Sequence, residues 1–127
     1  MRTFAILIAG LLVGAAAMAA EPNWVAVGKT DHYMVWVDSN SIKETAQQTV
    51  EFWMRGKFTP PVLGMATSIS HIVARCDHPA TYVRDVFSTF DEQDKPFHRD
   101  NGQDEQPLFP GSSMDAVITR ACSLVPH

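Results

Sequence analysis

Two histidines, an aspartate and one of only two cysteines fall within eleven residues, Ser68-Ile-Ser-His-Ile-Val-Ala-Arg-Cys-Asp-His78. These residue types can ligate a metal or move a proton, provided that they converge on one point. Their spacing opposes convergence. In an extended strand side chains alternate faces, so Cys76 shares one face with Ile72 and Ala74, and His71 shares the other with Ile69, Val73 and Arg75. Asp77 and His78 fall in a turn ahead of Pro79, which offers at most two ligands where a metal needs three or four. No metal site and no cofactor are expected.

The acidic stretch from Asp91 to Glu105, DEQDKPFHRDNGQDE, is the stronger cation candidate, since oxygen ligands crowd it and Asn101-Gly102 could turn the chain back on itself. It lacks the alternating acidic residues, the glycine at position six and the glutamate at position twelve of an EF-hand loop. A solvated, mobile surface loop is the simpler expectation. Enzyme signatures are absent: there is no G-x-S-x-G elbow, no H-E-x-x-H and no Gly-rich phosphate loop. Asp38, Asp85 and the serines form no constrained set, so no catalytic residue is assigned and the chain reads as a non-enzyme.

The chain opens MRTFAILIAGLLVGAAAMAAEP, with Arg2, an apolar run over Phe4–Val13, and small residues ending in Ala17-Met18-Ala19. This reads as a secretory signal peptide over residues 1–19. The run is shorter than the ~20 apolar residues of a membrane span and is broken by Gly10 and Gly14. No cysteine follows it, so a lipoprotein anchor is not expected. Residues 20–127 then form one small domain with one modest core. The net charge of −4, without a basic patch, argues against nucleic acid and anionic membrane as partners. In an exported chain the pair Cys76 and Cys122 reads first as a disulfide. It would close a loop of about 45 residues and stabilise the fold by about 4 kcal/mol.

Asn23–Gly28 and His32–Asp38 read as a hairpin of β-branched and aromatic runs. Asp38-Ser-Asn-Ser-Ile carries turn chemistry. Thr49–Arg55 alternates Val50, Phe52 and Met54 against polar residues, with Trp53 the one apolar residue on the polar face. Lys57–Gly64, with two prolines, reads as a loop. Met65–Cys76 and Thr81–Phe90 are strands joined by a short turn. Ser112 can cap a helix with Asp115 three residues on. Met114, Val117, Ile118, Ala121, Cys122 and Val125 then make one apolar stripe. The expectation is an α+β domain: an antiparallel sheet of about five or six strands with one C-terminal helix packed on one face. Trp36 and Trp53, if they lie on the face opposite the helix, are candidate partner contacts.

A tryptophan opens the domain (Trp24-Val-Ala-Val), and a strand ends in aspartate before serine-isoleucine (Val37-Asp-Ser-Asn-Ser-Ile42). A Val50-Glu-Phe-Trp53 strand follows, then a strand closing on Cys76, Pro110-Gly-Ser112 before the terminal helix, and Cys122 near its end. In this order and spacing the chain resembles the surface-adhesin protein E-like family of small exported bacterial domains, from Trp24 to Cys122. The resemblance implies a sheet with a helix on one face, pinned by a disulfide between the cysteine-closing strand and the helix. It also implies a domain that binds envelope or host extracellular proteins rather than transforming a substrate. The named adhesin type is lipid-anchored, so the missing lipoprotein cysteine shifts the expected location to periplasmic or secreted. The alternative expectation is a soluble periplasmic module that binds a small ligand or cation through the acidic 91–105 loop.

Overall fold

Alternating burial along the two longest strands builds the domain. The computed structural model describes residues 21–77, 81–102 and 104–125; the leader segment 1–19 and His78 lie outside the described residues. The strands are β1 (Trp24–Lys29), β2 (Tyr33–Asp38), β3 (Lys43–Ala46), β4 (Thr49–Val62), β5 (Met65–Arg75), β6 (Thr81–Phe90), β7 (Pro96–Asp100) and β8 (Asp104–Pro107), followed by helix α1 (Ser113–Ser123). All pair antiparallel in the order β1-β2-β4-β5-β6-β7, with β3 added to β4 and β8 to β6. The α+β class is as expected, but the strands number eight rather than five or six.

The eight strands occupy six positions across the sheet. β2 and β3 lie end to end along β4, on Met54–Phe58 and Thr49–Glu51. β7 and β8 likewise lie end to end along β6. The described part of the 91–106 segment is therefore a tight turn followed by the two edge strands β7 and β8, where a surface loop is expected from sequence. Asp91 closes that turn, its Oδ1 accepting from the backbone N–H groups of Gln93 and Lys95 at 2.9 Å each. Asn101-Gly102 marks the break in the edge strand rather than a reversal, because β7 and β8 run the same way along β6. The loop expected at Lys57–Gly64 is corrected too: β4 continues to Val62. Its register with β5 jumps from Lys57↔Thr67 to Val62↔Met65, so Pro60 and Pro61 stand where no ladder bond to β5 is needed.

Val35, Val37, Val50, Phe52, Met54, Ile72 and Ala74 face α1, which contributes Val117, Ile118, Ala121 and the following Val125. Ser112 caps α1, its Oγ accepting from the Asp115 N–H at 3.2 Å, while Asp115 Oδ2 accepts from the Gly111 N–H at 2.9 Å. One of the orphan N–H groups of the first turn is thereby satisfied, together with the N–H of the residue just ahead of the cap. A disulfide joins Cys76, just past β5, to Cys122 on the helix, with Cα atoms 5.9 Å apart. His71 and Cys76 diverge as strand parity requires.

Beyond the reach of α1 the same face turns polar, with Ser68 and Ser70 buried on β5. Tyr33 lies across β4 there, stacked on Phe58 at 4.9 Å. A Cβ at Gly56 would come within 2.7 Å of the Tyr33 hydroxyl and 2.9 Å of Ser68 Oγ, so only glycine leaves room for the ring. Burial pushes the Tyr33 phenol above its ordinary value of 10.0; Tyr82 adds to the rise and Arg84 partly offsets it.

Replacing Cys76 and Cys122 by alanine should lower unfolding free energy by about 4 kcal/mol, read as a fall in the urea midpoint against the oxidised parent. For Tyr33 the folded state holds the phenol proton more tightly than the unfolded chain does. Its contribution is intact below about pH 10 and is lost as pH rises from there through the folded value. Urea titrations at neutral and strongly alkaline pH should therefore show a smaller alkaline loss in Tyr33→Phe than in the parent, and equal losses would refute this assignment.

Candidate partner-binding face

The face opposite α1 is set by odd-numbered β4 positions and by Trp36 on β2. Arg55 pairs with Trp36, which pairs with Ala26, and Trp24 lies two residues further along β1. This register brings the Arg55 guanidinium over both indoles, 4.5 Å from the Trp36 ring centroid and 5.2 Å from that of Trp24. The planar cation covers the electron-rich ring faces, and each contact is worth about 0.5–1 kcal/mol when partly exposed. Among the described residues no carboxylate pairs with Arg55, so its N–H edges have no acid partner.

On the neighbouring pair, Trp53 sits opposite His71 with ring centroids 4.9 Å apart. His71 Nδ1 meets Asp85 Oδ1 at 2.7 Å. The meeting depends on a bulge in β6: His71 pairs with Val86 and Ile72 with Arg84, which leaves Asp85 as the extra residue. A histidine oriented by a carboxylate is two-thirds of a triad. The third part is missing, since among the described residues no hydroxyl bonds to His71. Ser41, which lines a shallow depression together with His71, is committed elsewhere: its Oγ donates to Asp38 O at 2.8 Å and accepts from the Trp53 N–H at 2.9 Å. That N–H falls in the gap between β2 and β3, and Ser41 replaces the absent ladder partner. The buried Asp38 carboxylate is also occupied, accepting from the Asn23 and Asn40 N–H groups at 2.8 and 3.0 Å.

Two shallow depressions flank the stack. One, of about 390 Å³, is lined by Trp53, His71, Glu51, Lys43 and the Asp38–Ser41 turn. The other, of about 410 Å³, has Trp36, Arg55 and Lys57 on one side and Asp91, Glu92 and Asp94 on the other. Trp36 and Trp53, the two contacts expected from sequence, thus line separate depressions of one face, both half-buried. Trp24 enters the sequence reading through the family resemblance and not as a contact, and Arg55 and Lys57 do not enter it as contacts at all. The only signal for Arg55 was its parity with Trp53, because its meeting with Trp24 depends on pairing across three strands.

For the acidic stretch, Asp91 and Asp100 spend an oxygen on neighbouring backbone N–H groups. Among the described residues no group of three or more His, Cys, Asp or Glu side chains could hold a metal ion. Asp77 at the end of β5 holds Arg75 through two bonds of 3.0 and 2.6 Å. Among the described residues no helix is long and apolar enough to cross a membrane.

The family model described as surface-adhesin protein E matches residues 24–123. No curated protein and no solved structure matches the chain.

Arg55→Ala should remove both cation–π contacts and cost about 1 kcal/mol in urea unfolding, with a shift in tryptophan emission. Unchanged stability and emission would show that the stack does not persist in solution.

Proposed function

The chain belongs to the surface-adhesin protein E family, and from that membership we propose that it is an exported, non-enzymatic domain that engages a macromolecular partner at the bacterial envelope or outside the cell. The contact surface is the sheet face opposite α1, with Trp36 and Trp53 as its anchors. One observation carries this assignment: three tryptophans and an arginine, the residue types enriched at binding hot spots, gather on the face that the helix leaves uncovered. Aromatic rings already held by Arg55 and His71 lose little freedom when a partner docks, which favours affinity. Export through the 1–19 leader and a periplasmic or secreted location belong to the same proposal. The acidic segment is the weaker route to a cation, since Asp91 and Asp100 each spend an oxygen on backbone N–H groups.

The test is capture by the immobilised mature protein from envelope extracts and from extracellular-matrix proteins, in parallel with the Trp36→Ala/Trp53→Ala variant. The parent should retain a partner saturably. The double variant, folded by circular dichroism, should lose at least about thirtyfold in affinity, as expected when a hot-spot contact of about 2 kcal/mol is removed. Equal capture by both proteins would move the site off this face. Saturable calcium or zinc binding by calorimetry without any protein partner would replace the proposal with the cation-binding alternative.

A further inference from the structure

The depression beside Trp36 carries opposite charges that do not meet. Arg55 and Lys57 stand on one wall and Asp91, Glu92 and Asp94 on the other. Among the described residues the two ion pairs are His71–Asp85 and Arg75–Asp77, neither of them across this groove. Arg55 and the backbone of the acidic turn are held by local contacts, whereas the Lys57, Glu92 and Asp94 side chains are exposed. Arg55 is held between Trp24 and Trp36, and the acidic wall is the turn closed by Asp91 Oδ1 on the Gln93 and Lys95 N–H groups, with Asp94 N–H donating to Asp91 O at 3.0 Å. The groove thus presents Arg55 and Lys57 without an acid partner among the described residues on one side and the Glu92 and Asp94 carboxylates on the other, with Trp36 in its lining. Its volume of about 410 Å³ is at the small end of ligand sites.

Resting on the assignment of this face as the contact surface, we propose that the groove selects the partner: it takes a short polypeptide segment carrying an acidic and a basic side chain a few residues apart. The carboxylate docks on the Arg55 guanidinium edge beside Lys57. The basic side chain docks toward Glu92 and Asp94, and the segment's aliphatic atoms lie on Trp36. A segment of one sign would meet like charge at one wall, and such mismatches discriminate between partners more strongly than matched pairs add affinity. Contact with the partner would be weakened by salt, as partly exposed ion pairs are.

Selection of a displayed library of random dodecapeptides on the immobilised mature protein tests this. Sequences enriched on the parent should carry an acidic and a basic residue at a preferred spacing. Enrichment on Lys57→Glu, an exposed change that leaves the Trp24–Arg55–Trp36 stack in place, should lose the acidic residue. Enrichment on Glu92→Lys/Asp94→Lys should replace the basic residue by an acidic one. A synthetic peptide of the parent consensus should bind each variant at least tenfold more weakly in a tryptophan-fluorescence titration. Consensus sequences of a single sign, identical consensus on all three proteins, or no enrichment at all would overturn the proposal. The Trp53→Ala variant separates this from the assignment of the face. It leaves the groove intact, so partner capture lost in Trp53→Ala but unaffected by the charge changes would keep the face and discard the groove.

Discussion

One helix has to cover one face of a six-position sheet, and it is too small to do so. Eleven residues make a rod about 16 Å long, whereas six strands spaced by about 4.8 Å span about 24 Å. The helix lies over β1, β2 and β4, and the apolar core gathers there and reaches Ile72 and Ala74 on β5. The disulfide carries the tie one strand further, to the end of β5. Further along β2, β4 and β5 the same face changes character: Ser68 and Ser70 stand where aliphatic residues stood, and a tyrosine laid over a glycine fills the remaining space.

The same shortage decides the other face. With no second layer among the described residues, its side chains must meet water and still bury the backbone between them. Long amphipathic groups do both, because rings and alkyl stems cover the sheet while polar ends stay wet. Trp24, Trp36, Trp53, Arg55 and His71 are residues of this kind, and they pack on one another in two groups, Arg55 with Trp24 and Trp36 and His71 with Trp53. A surface assembled to shield a sheet is thereby also a rigid aromatic platform, which is why packing and binding draw on the same residues here.

What could be read from sequence follows from what burial imprints on it. The alternation of Val50, Phe52 and Met54 and the stripe from Met114 to Val125 record one buried face each, and both elements stand where expected. β3, Lys-Glu-Thr-Ala, is exposed along its whole length, so it leaves no period to detect. β7 is exposed along its length in the same way and persists through backbone bonds to β6. The two prolines of β4 argued for a loop because they argue against a ladder, and they do stand outside one. The site was half legible. Trp36 and Trp53 were recognisable as tryptophans in strands, and parity parted His71 from Cys76. The Arg55 stack and the His71–Asp85 pair depend on cross-strand register and a bulge, which a single strand's composition does not encode.

The breaks at the two sides of the sheet also bear on what this domain avoids. β1 is irregular between Ala26 and Gly28, where its register with β2 shifts. The opposite side is split into β7 and β8, with Pro96 at the start and Pro107 at the end. A long, flat strand edge would be a template for any other extended chain, including another copy of itself. Interrupting both edges removes that template, so an all-antiparallel sheet with much of its backbone near the surface can remain a discrete molecule and leave recognition to side chains on its face.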